Sequence, residues 1–303
     1  MTDKKPGGIV CALVTPFQED ESIDYGAWKS VIEYQIWSGI DGFFAVGTGG
    51  EFYALTEAER REAASFVIGA VGGRIPIYAQ VGAVTTRESV ALARHAEGEG
   101  ADYLVVITPY YIRPTDDEIV RHYQEICDSV KAPVFAYNIP GRTGVALTAA
   151  VVRRIAESQP NFIGLKDSSG KIGQVSDWIE LGLSVFMGSD NLIYPALELG
   201  CAGAVAVCAN VAPKLFVQLF QAWKNGDSAE ASRLQALAAE LRLSLGLSAA
   251  HPLIKQAMAL GGLPAGVSRR PSGLVSSAEL EGLHAIIAKL RENNFLPGQD
   301  RAC

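Results

Sequence analysis

Short apolar runs alternate with helical segments along the first two thirds of the chain. Eight such runs, rich in Val, Ile and aromatic residues, lie at residues 9–17, 42–47, 76–82, 103–109, 133–140, 162–168, 184–190 and 203–207. Nearly continuous apolar character over so few residues is typical of strands buried on both faces of a parallel sheet. The pattern therefore predicts a strand followed by a helix, repeated along the chain.

Threonines mark the predicted starts of several helices. Thr56 is followed three positions later by Glu59, which is the spacing of a capping box. Thr86, Thr115 and Thr148 precede further helical patterns. We expect a helix to begin at each of these four threonines, because a hydroxyl can accept a hydrogen bond from the first turn.

Eight βα units in roughly 210 residues match the size of a (β/α)8 TIM barrel. A doubly wound open sheet is the alternative, but it usually carries a glycine fingerprint where this chain has Thr15, Pro16 and Phe17. Only helical patterns follow residue 210. We expect residues 1–225 to form the barrel and residues 226–303 to form a C-terminal helical extension packed on it, within one structural domain.

Composition excludes several classes of function. The chain has 303 residues, is 49% hydrophobic and carries a net charge of −7 without a run of basic residues, which argues against nucleic-acid binding. No leader pattern precedes the first strand, and no apolar stretch reaches the ~18 residues of a membrane span. The five cysteines form no CxxC pair. We expect free thiols in a reducing, cytoplasmic compartment.

Several cofactor motifs are incomplete. The stretch GTGGE at residues 47–51 lacks the third glycine of a dinucleotide loop, since Phe52 stands there, and residues 164–171 are one residue too long for a phosphate loop. No GxSxG elbow occurs. The histidines show no metal-ligand spacing; they are His95, His122, His251 and His284. We therefore predict neither a cofactor nor a metal.

A lysine ends the apolar run FIGLKDS. Strand alternation points Gly164 and Lys166 into the barrel, and the glycine is expected to leave open space below the lysine. Burial lowers the pKa of a lysine, and a neutral amine can form a Schiff base with a ketone. The alternative is a lysine that reaches solvent or a phosphate at the end of the strand.

Other strand ends carry polar groups of complementary chemistry. Tyr137 ends the preceding strand, where its phenol can transfer protons, although a packed core aromatic is the alternative. Thr48 and the N–H groups of Gly49 and Gly50 can cradle a carboxylate, or simply form a tight turn. Arg142 lies on a predicted loop, where its guanidinium can bind a second carboxylate. A solvated loop arginine is the alternative.

Two adjacent tyrosines, Tyr110 and Tyr111, also lie at a strand end. Successive residues of an extended chain point in opposite directions, so we expect one ring to enter a site and the other to pack on a neighbour. A simple role in loop packing is the alternative.

The motifs ALVTPF, GTGGE, TPYYIRPT, YNIPGRTG, GLKDSSG and GAVAVCANVAP occur in this order from about residue 8 onward. Together they resemble the dihydrodipicolinate synthase and N-acetylneuraminate lyase family. The resemblance implies a Schiff-base lyase on a (β/α)8 barrel with C-terminal helices, without a cofactor, assembled as a homotetramer (a dimer of dimers).

The resemblance also implies roles for individual residues. Lys166 would form an imine with pyruvate or a related 2-oxo acid, and Tyr137 would transfer protons. Thr48 would link Tyr137 to Tyr111, supplied across a dimer interface. The resemblance further implies that Gly49, the carbonyl of Val205 and Arg142 contact the substrate. Arg142 matches the position that binds the carboxylate of aspartate semialdehyde in the synthases.

Departures from the family pattern bear on activity. The synthases usually read GTTGE, so Gly49 removes a hydroxyl, which contributes about 1 kcal/mol as a typical hydrogen bond. The positions of the feedback lysine pocket hold Phe52, Tyr53, Glu57 and Val84, so we predict no lysine feedback.

The motifs leave several interpretations of the activity open. The leading prediction is 4-hydroxy-tetrahydrodipicolinate synthase activity. The alternatives within the family are an aldolase or dehydratase for 2-oxo-3-deoxy sugar acids and a pyrroline hydroxycarboxylate deaminase. A catalytically silent barrel that binds a 2-oxo acid is the alternative from another class.

Overall fold

Eight parallel strands close into a barrel in the computed structural model, which describes residues 6–246 and 251–297. Each strand pairs with the next in sequence, and β8 pairs with β1. The strands are β1 (Gly8–Ala12), β2 (Gly42–Ala45), β3 (Ile77–Gln80), β4 (Tyr103–Ile107), β5 (Val134–Asn138), β6 (Phe162–Asp167), β7 (Ser184–Met187) and β8 (Gly203–Ala206). The predicted (β/α)8 barrel is confirmed.

Helices alternate with the strands and then continue alone. They are α1 (Tyr25–Trp37), α2 (Glu57–Val71), α3 (Thr86–Glu99), α4 (Asp116–Asp128), α5 (Pro140–Thr143), α6 (Ala149–Ser158), α7 (Val175–Glu180), α8 (Ile193–Glu198), α9 (Pro213–Lys224), α10 (Ser228–Ser244), α11 (His251–Leu260) and α12 (Ser277–Glu292). The predicted boundary at residues 225 and 226 falls in the turn between α9 and α10.

Hydroxyl caps begin the helices at three of the four predicted threonines. Thr56 and Thr115 form complete capping boxes, and Thr148 accepts from the N–H of Val151. The helix α3 begins at Thr86 as predicted, but the expectation that the Thr86 hydroxyl caps it was wrong. Thr85 caps α3, because its hydroxyl accepts from the backbone of the helix, whereas the Thr86 hydroxyl lies 2.9 Å from His122 Nδ1 on α4.

Aromatic rings fill the barrel below Lys166. Tyr78, Phe135 and Phe186 contact one another edge-to-face inside the barrel, with centroids 5.5–5.8 Å apart. The expectation of open space at Gly164 was wrong. A Cβ at this position would lie 2.5 Å from the ring of Phe135 and 2.2 Å from the carbonyl oxygen of Ser184. The glycine therefore admits the Phe135 ring instead of a void, and gives Lys166 a rigid aromatic floor.

A buried ion pair ties the barrel to the C-terminal helices. Lys255 on α11 places its Nζ 2.7 Å from Oε1 of Glu51, and both side chains are almost fully buried. The same ammonium donates to the carbonyl of Val267, while the N–H of Arg269 donates to Glu51. Glu51 closes the turn after β2, so the extension holds one of the loops at the mouth of the barrel.

Four cysteines, Cys11, Cys127, Cys201 and Cys208, are buried and free; the fifth, Cys303, lies outside the described residues. Among the helices of residues 6–246 and 251–297, none is both long and apolar enough to cross a membrane.

Candidate active site

A cavity of about 330 Å³ opens at the carboxyl ends of the strands. It lies where TIM-barrel enzymes place their chemistry. Its lining residues are Ala12, Thr48, Gly49, Tyr137, Ile139, Gly141, Arg142, Lys166, Ser168, Gly188, Ser189, Val205, Val207, Arg242 and Ile254. Six of the residues predicted for the site line this cavity, whereas Gly50 and Tyr111 do not.

Lys166 lies on β6 with its ammonium group between two aromatic rings. Its Nζ is 4.2 Å from the ring centroid of Phe44 and 4.1 Å from that of Tyr137, and the residue is only 6% exposed. Burial lowers the pKa of Lys166 below that of an ordinary lysine, and Tyr137 and Asp190 oppose this shift. The same rings favour a cation, so they also stabilise a protonated imine at this nitrogen.

Tyr137 and Thr48 form a hydrogen-bonded pair beside the lysine. Tyr137 lies opposite Lys166 in the pairing of β5 with β6, which brings its phenol close to the amine. Its Oη lies 3.2 Å from Oγ1 of Thr48. The edge of Phe44 holds the tyrosine ring from the side, with centroids 5.6 Å apart. A phenol so fixed can exchange protons with groups bound to the lysine nitrogen.

The turn after β2 has an unusual backbone. Val46 and Glu51, at its two ends, adopt left-handed conformations with φ of 54°. Such conformations cost of order 1–3 kcal/mol each for residues other than glycine, and cluster at functional sites. The N–H of Gly50 donates to the carbonyl of Gly47 at 3.0 Å, so this group, predicted to hold a carboxylate, instead closes the turn.

Gly49 is tightly placed within this turn. A Cβ there would lie 2.8 Å from the carbonyl oxygen of Ala12 and 3.1 Å from Val207. A threonine would displace β1 or the turn after β8 unless the turn itself shifted. The glycine is therefore required by the local packing of this chain, and its backbone faces the cavity directly.

The other two predicted site residues, Arg142 and Val205, lie at different depths in the cavity. Arg142 is exposed on α5 at the rim, and Val205 is buried on β8. Tyr53 lies near Arg142: burial raises the pKa of the Tyr53 phenol, Glu51 adds to the shift, and Arg142 opposes it. Arg142 thus contributes positive charge at the entrance of the cavity.

The two adjacent tyrosines point apart, but neither lines the cavity of its own chain, so only the expectation that one ring packs on a neighbour is met. Tyr110 packs edge-to-face on Phe52, with centroids 5.8 Å apart. Tyr111 adopts φ of 74° and is 97% exposed, so it does not join the Thr48–Tyr137 pair of its own chain. Its predicted role across an interface stays a prediction.

Sequence reasoning missed the contribution of the C-terminal helices. Arg242 on α10 and Ile254 on α11 line the cavity, although neither stands at a strand end. Both lie within ordinary helical patterns, which gave no signal of their position. Within the part of the chain that the structure describes, no three His, Cys, Asp or Glu side chains cluster as metal ligands.

The closed barrel, its C-terminal helices and the lysine-bearing cavity at its mouth define a TIM-barrel enzyme. The chain belongs to the dihydrodipicolinate synthetase family, whose model matches residues 5–290, and it is a lyase of that family. The resemblance inferred from the motifs is thereby confirmed.

Relatives within this family differ in their named activities. The chain is 32% identical to a 4-hydroxy-tetrahydrodipicolinate synthase of Desulforamulus reducens, covering 94% of this chain and 97% of the relative. It is 36% identical to a probable 2-dehydro-3-deoxy-D-pentonate aldolase of Escherichia coli, with 91% and 94% covered. The crystal structure of YagE, a family member from E. coli in complex with pyruvate, superposes with a TM-score of 0.89 at 31% identity, covering 95% and 99%.

Proposed function

We propose that this protein is a Schiff-base lyase that uses Lys166 to bind pyruvate or a related 2-oxo acid. The observation that carries the proposal is the buried amine beside the rings of Phe44 and Tyr137, in a cavity that Thr48 and Arg142 also line. The family relation and the pyruvate complex of a structural relative support the choice of ligand.

The chemistry follows from the positions of the groups. The neutral amine of Lys166 attacks the keto carbon, and water leaves to form a protonated imine. Loss of a proton from the adjacent carbon gives an enamine, which forms a carbon–carbon bond to an aldehyde. Tyr137 donates a proton to the developing alkoxide, with Thr48 holding the phenol in place. Water then hydrolyses the imine, and the reverse sequence cleaves the same bond. The backbone of Thr48 and Gly49 and the carbonyl of Val205 are proposed to contact the 2-oxo acid.

For the specific reaction we propose condensation of pyruvate with aspartate semialdehyde: after the carbon–carbon bond forms, the amino group of the semialdehyde part, in place of water, attacks the imine carbon, releases the amine of Lys166 and closes the ring of 4-hydroxy-tetrahydrodipicolinate. Arg142 at the rim of the cavity supports this choice, since a guanidinium can hold the carboxylate of the semialdehyde. The second candidate is cleavage of a 2-oxo-3-deoxy sugar acid, favoured by the similarity to the pentonate aldolase. Steady-state assays of both reactions on the same preparation separate the two. No turnover of aspartate semialdehyde would reject the synthase reading, while borohydride trapping of pyruvate would still support the lyase.

Replacing Tyr137 with phenylalanine is expected to lower kcat by about 10²-fold, because the phenol is proposed to carry protons during formation and breakdown of the adduct. The ring and its contact with Lys166 remain, so the adduct with pyruvate is still expected after borohydride reduction. Stopped-flow kinetics and intact-mass measurement test the two statements. Tyr110→Phe, on a tyrosine outside the cavity, is the matched control. Unchanged kcat in Tyr137→Phe would remove the phenol from the mechanism.

We also propose that the protein acts as a homotetramer in the cytoplasm. Tyr111 and Leu274 are each 97% exposed, so both side chains are available to pack against another copy of the chain. Tyr111 is proposed to reach the Thr48–Tyr137 pair of that second copy. The buried free thiols support a reducing compartment.

A further inference from the structure

A charged side chain from the C-terminal extension reaches the candidate active site. Arg242 lies in the last turn of α10 and lines the same cavity as Lys166. It is partly buried, whereas Arg142 at the rim is exposed. The cavity therefore receives two guanidinium groups, one from the barrel and one from the extension.

The position of Arg242 is fixed by the contacts of its helix. Gln235, on the same face of α10 two turns earlier, donates to the carbonyl of Asp190 at 3.0 Å and accepts from the N–H of Tyr194 at 2.7 Å. These bonds hold α10 against the turn that follows β7. Arg242 itself lies beside Asp190 and Cys208, which follow β7 and β8.

The two arginines therefore flank the lysine from different sides. Arg142 follows β5, and Arg242 lies over the turns after β7 and β8, while Lys166 stands on β6 between them. Among the lining residues that the structure describes, Lys166, Arg142 and Arg242 are the charged ones, and no carboxylate is present. This positively charged lining favours a ligand that carries negative charge in addition to the group that reacts with the amine.

Asp190 places a buried carboxylate near Arg242, where the opposite charges attract. Asp190 is 1% exposed and accepts from the N–H of Cys208 at 3.0 Å, so its carboxylate is fixed in the barrel. A guanidinium presents its donors in a planar fork that matches a carboxylate, so Arg242, which lines the cavity, is suited to bind a carboxylate there.

We propose that Arg242 is a specificity-determining residue that binds a carboxylate at the far end of the substrate carbon chain. The preferred substrates are then 2-oxo acids that carry a second, distal carboxylate, or products of pyruvate with an aldehyde that carries one. This inference rests on the proposed imine at Lys166, and it assigns to the C-terminal extension a direct part in substrate choice.

The test compares two six-carbon 2-oxo acids that differ only at the far end, 2-oxoadipate and 2-oxohexanoate. Borohydride trapping and intact-mass measurement give the concentration at which half of the protein is labelled. Wild-type protein is expected to prefer 2-oxoadipate by about 30-fold, since truncating one member of a close charge pair usually has at least this effect. Arg242→Gln should abolish most of this preference while leaving half-labelling by pyruvate within about twofold. Arg242→Lys keeps the charge without the fork and should retain part of it.

Arg233→Gln is the matched control, because Arg233 lies on the same helix, is exposed and pairs with Glu230. It should behave as wild type with all three acids. If Arg242→Gln lost labelling equally with both six-carbon acids, or if the wild-type protein showed no preference between them, the role assigned to Arg242 would be overturned. The proposed function would then still stand. Absence of a pyruvate adduct in wild-type protein would overturn the proposed function together with it.

Discussion

Replacing Lys166 with methionine is expected to abolish the borohydride-trapped adduct with pyruvate and to reduce turnover at least about 10⁴-fold, because removal of a covalent nucleophile typically costs 10⁴ to 10⁶ in kcat. Methionine fills a similar volume between Phe44 and Tyr137 but has no amine. Since the substitution removes a buried charge-bearing group, the melting temperature should not fall. Intact-mass measurement after reduction and a steady-state assay test the two expectations.

The pH dependence of trapping gives a second test of the same residue. Burial lowers the pKa of Lys166, so the neutral, nucleophilic form persists to lower pH than in an ordinary lysine. The rate of adduct formation should therefore rise with pH and reach its plateau below the range in which exposed lysines lose their proton. Lys171→Met, on the exposed loop directly after β6, is the matched control. An adduct that maps to another lysine, or full activity in Lys166→Met, would refute the proposed mechanism.

Replacing Lys255 with methionine is expected to lower the free energy of unfolding by about 3–5 kcal/mol, since it leaves the carboxylate of Glu51 buried without its partner. The double variant Glu51→Gln with Lys255→Met should recover much of the loss, because both charges then leave the interior. Urea denaturation followed by fluorescence measures both values. The exposed pair of Lys289 with Glu240 is the control, for which Lys289→Met should cost less than about 1 kcal/mol.

The same variant should affect the site as well as stability. Glu51 ends the turn that carries Thr48 and Gly49, and it holds a left-handed conformation there. Loss of Lys255 is therefore expected to loosen this turn and to weaken the hydrogen bond between Thr48 and Tyr137. A Lys255→Met variant as stable as wild type in urea would show that the buried pair contributes nothing to holding the turn.

Much of the barrel was predictable because it depends on local pattern. Continuous apolar runs identify strands that are covered on both sides, and Thr56 with Glu59 shows a helix start by spacing alone. The choice between Thr85 and Thr86 was not predictable in this way. Two adjacent threonines can each cap a helix, and the contact of Thr86 with His122 on the next helix decided between them.

The strand ends were predictable for a related reason. The carboxyl ends of parallel strands meet at one edge of a barrel, so Lys166, Tyr137, Thr48 and Arg142 could be brought together before any coordinates, whereas Val205 was implied only by the family resemblance. The packing of side chains around these residues could not be predicted in this way. Whether Gly164 leaves a void or admits Phe135 depends on the pairing of two strands, which shifts by one residue between Val134 and Phe135.

The amino-acid sequence by itself determined the order of strands and helices, the (β/α)8 class, and the lysine and tyrosine at neighbouring strand ends, because each depends on residues close together in the chain. Only the tertiary structure decided that Arg242 enters the cavity and that Lys255 pairs with Glu51. Those contacts join residues about 200 positions apart or lie across packed helices, and helical periodicity shows which face of a helix is buried but not which loop it will meet.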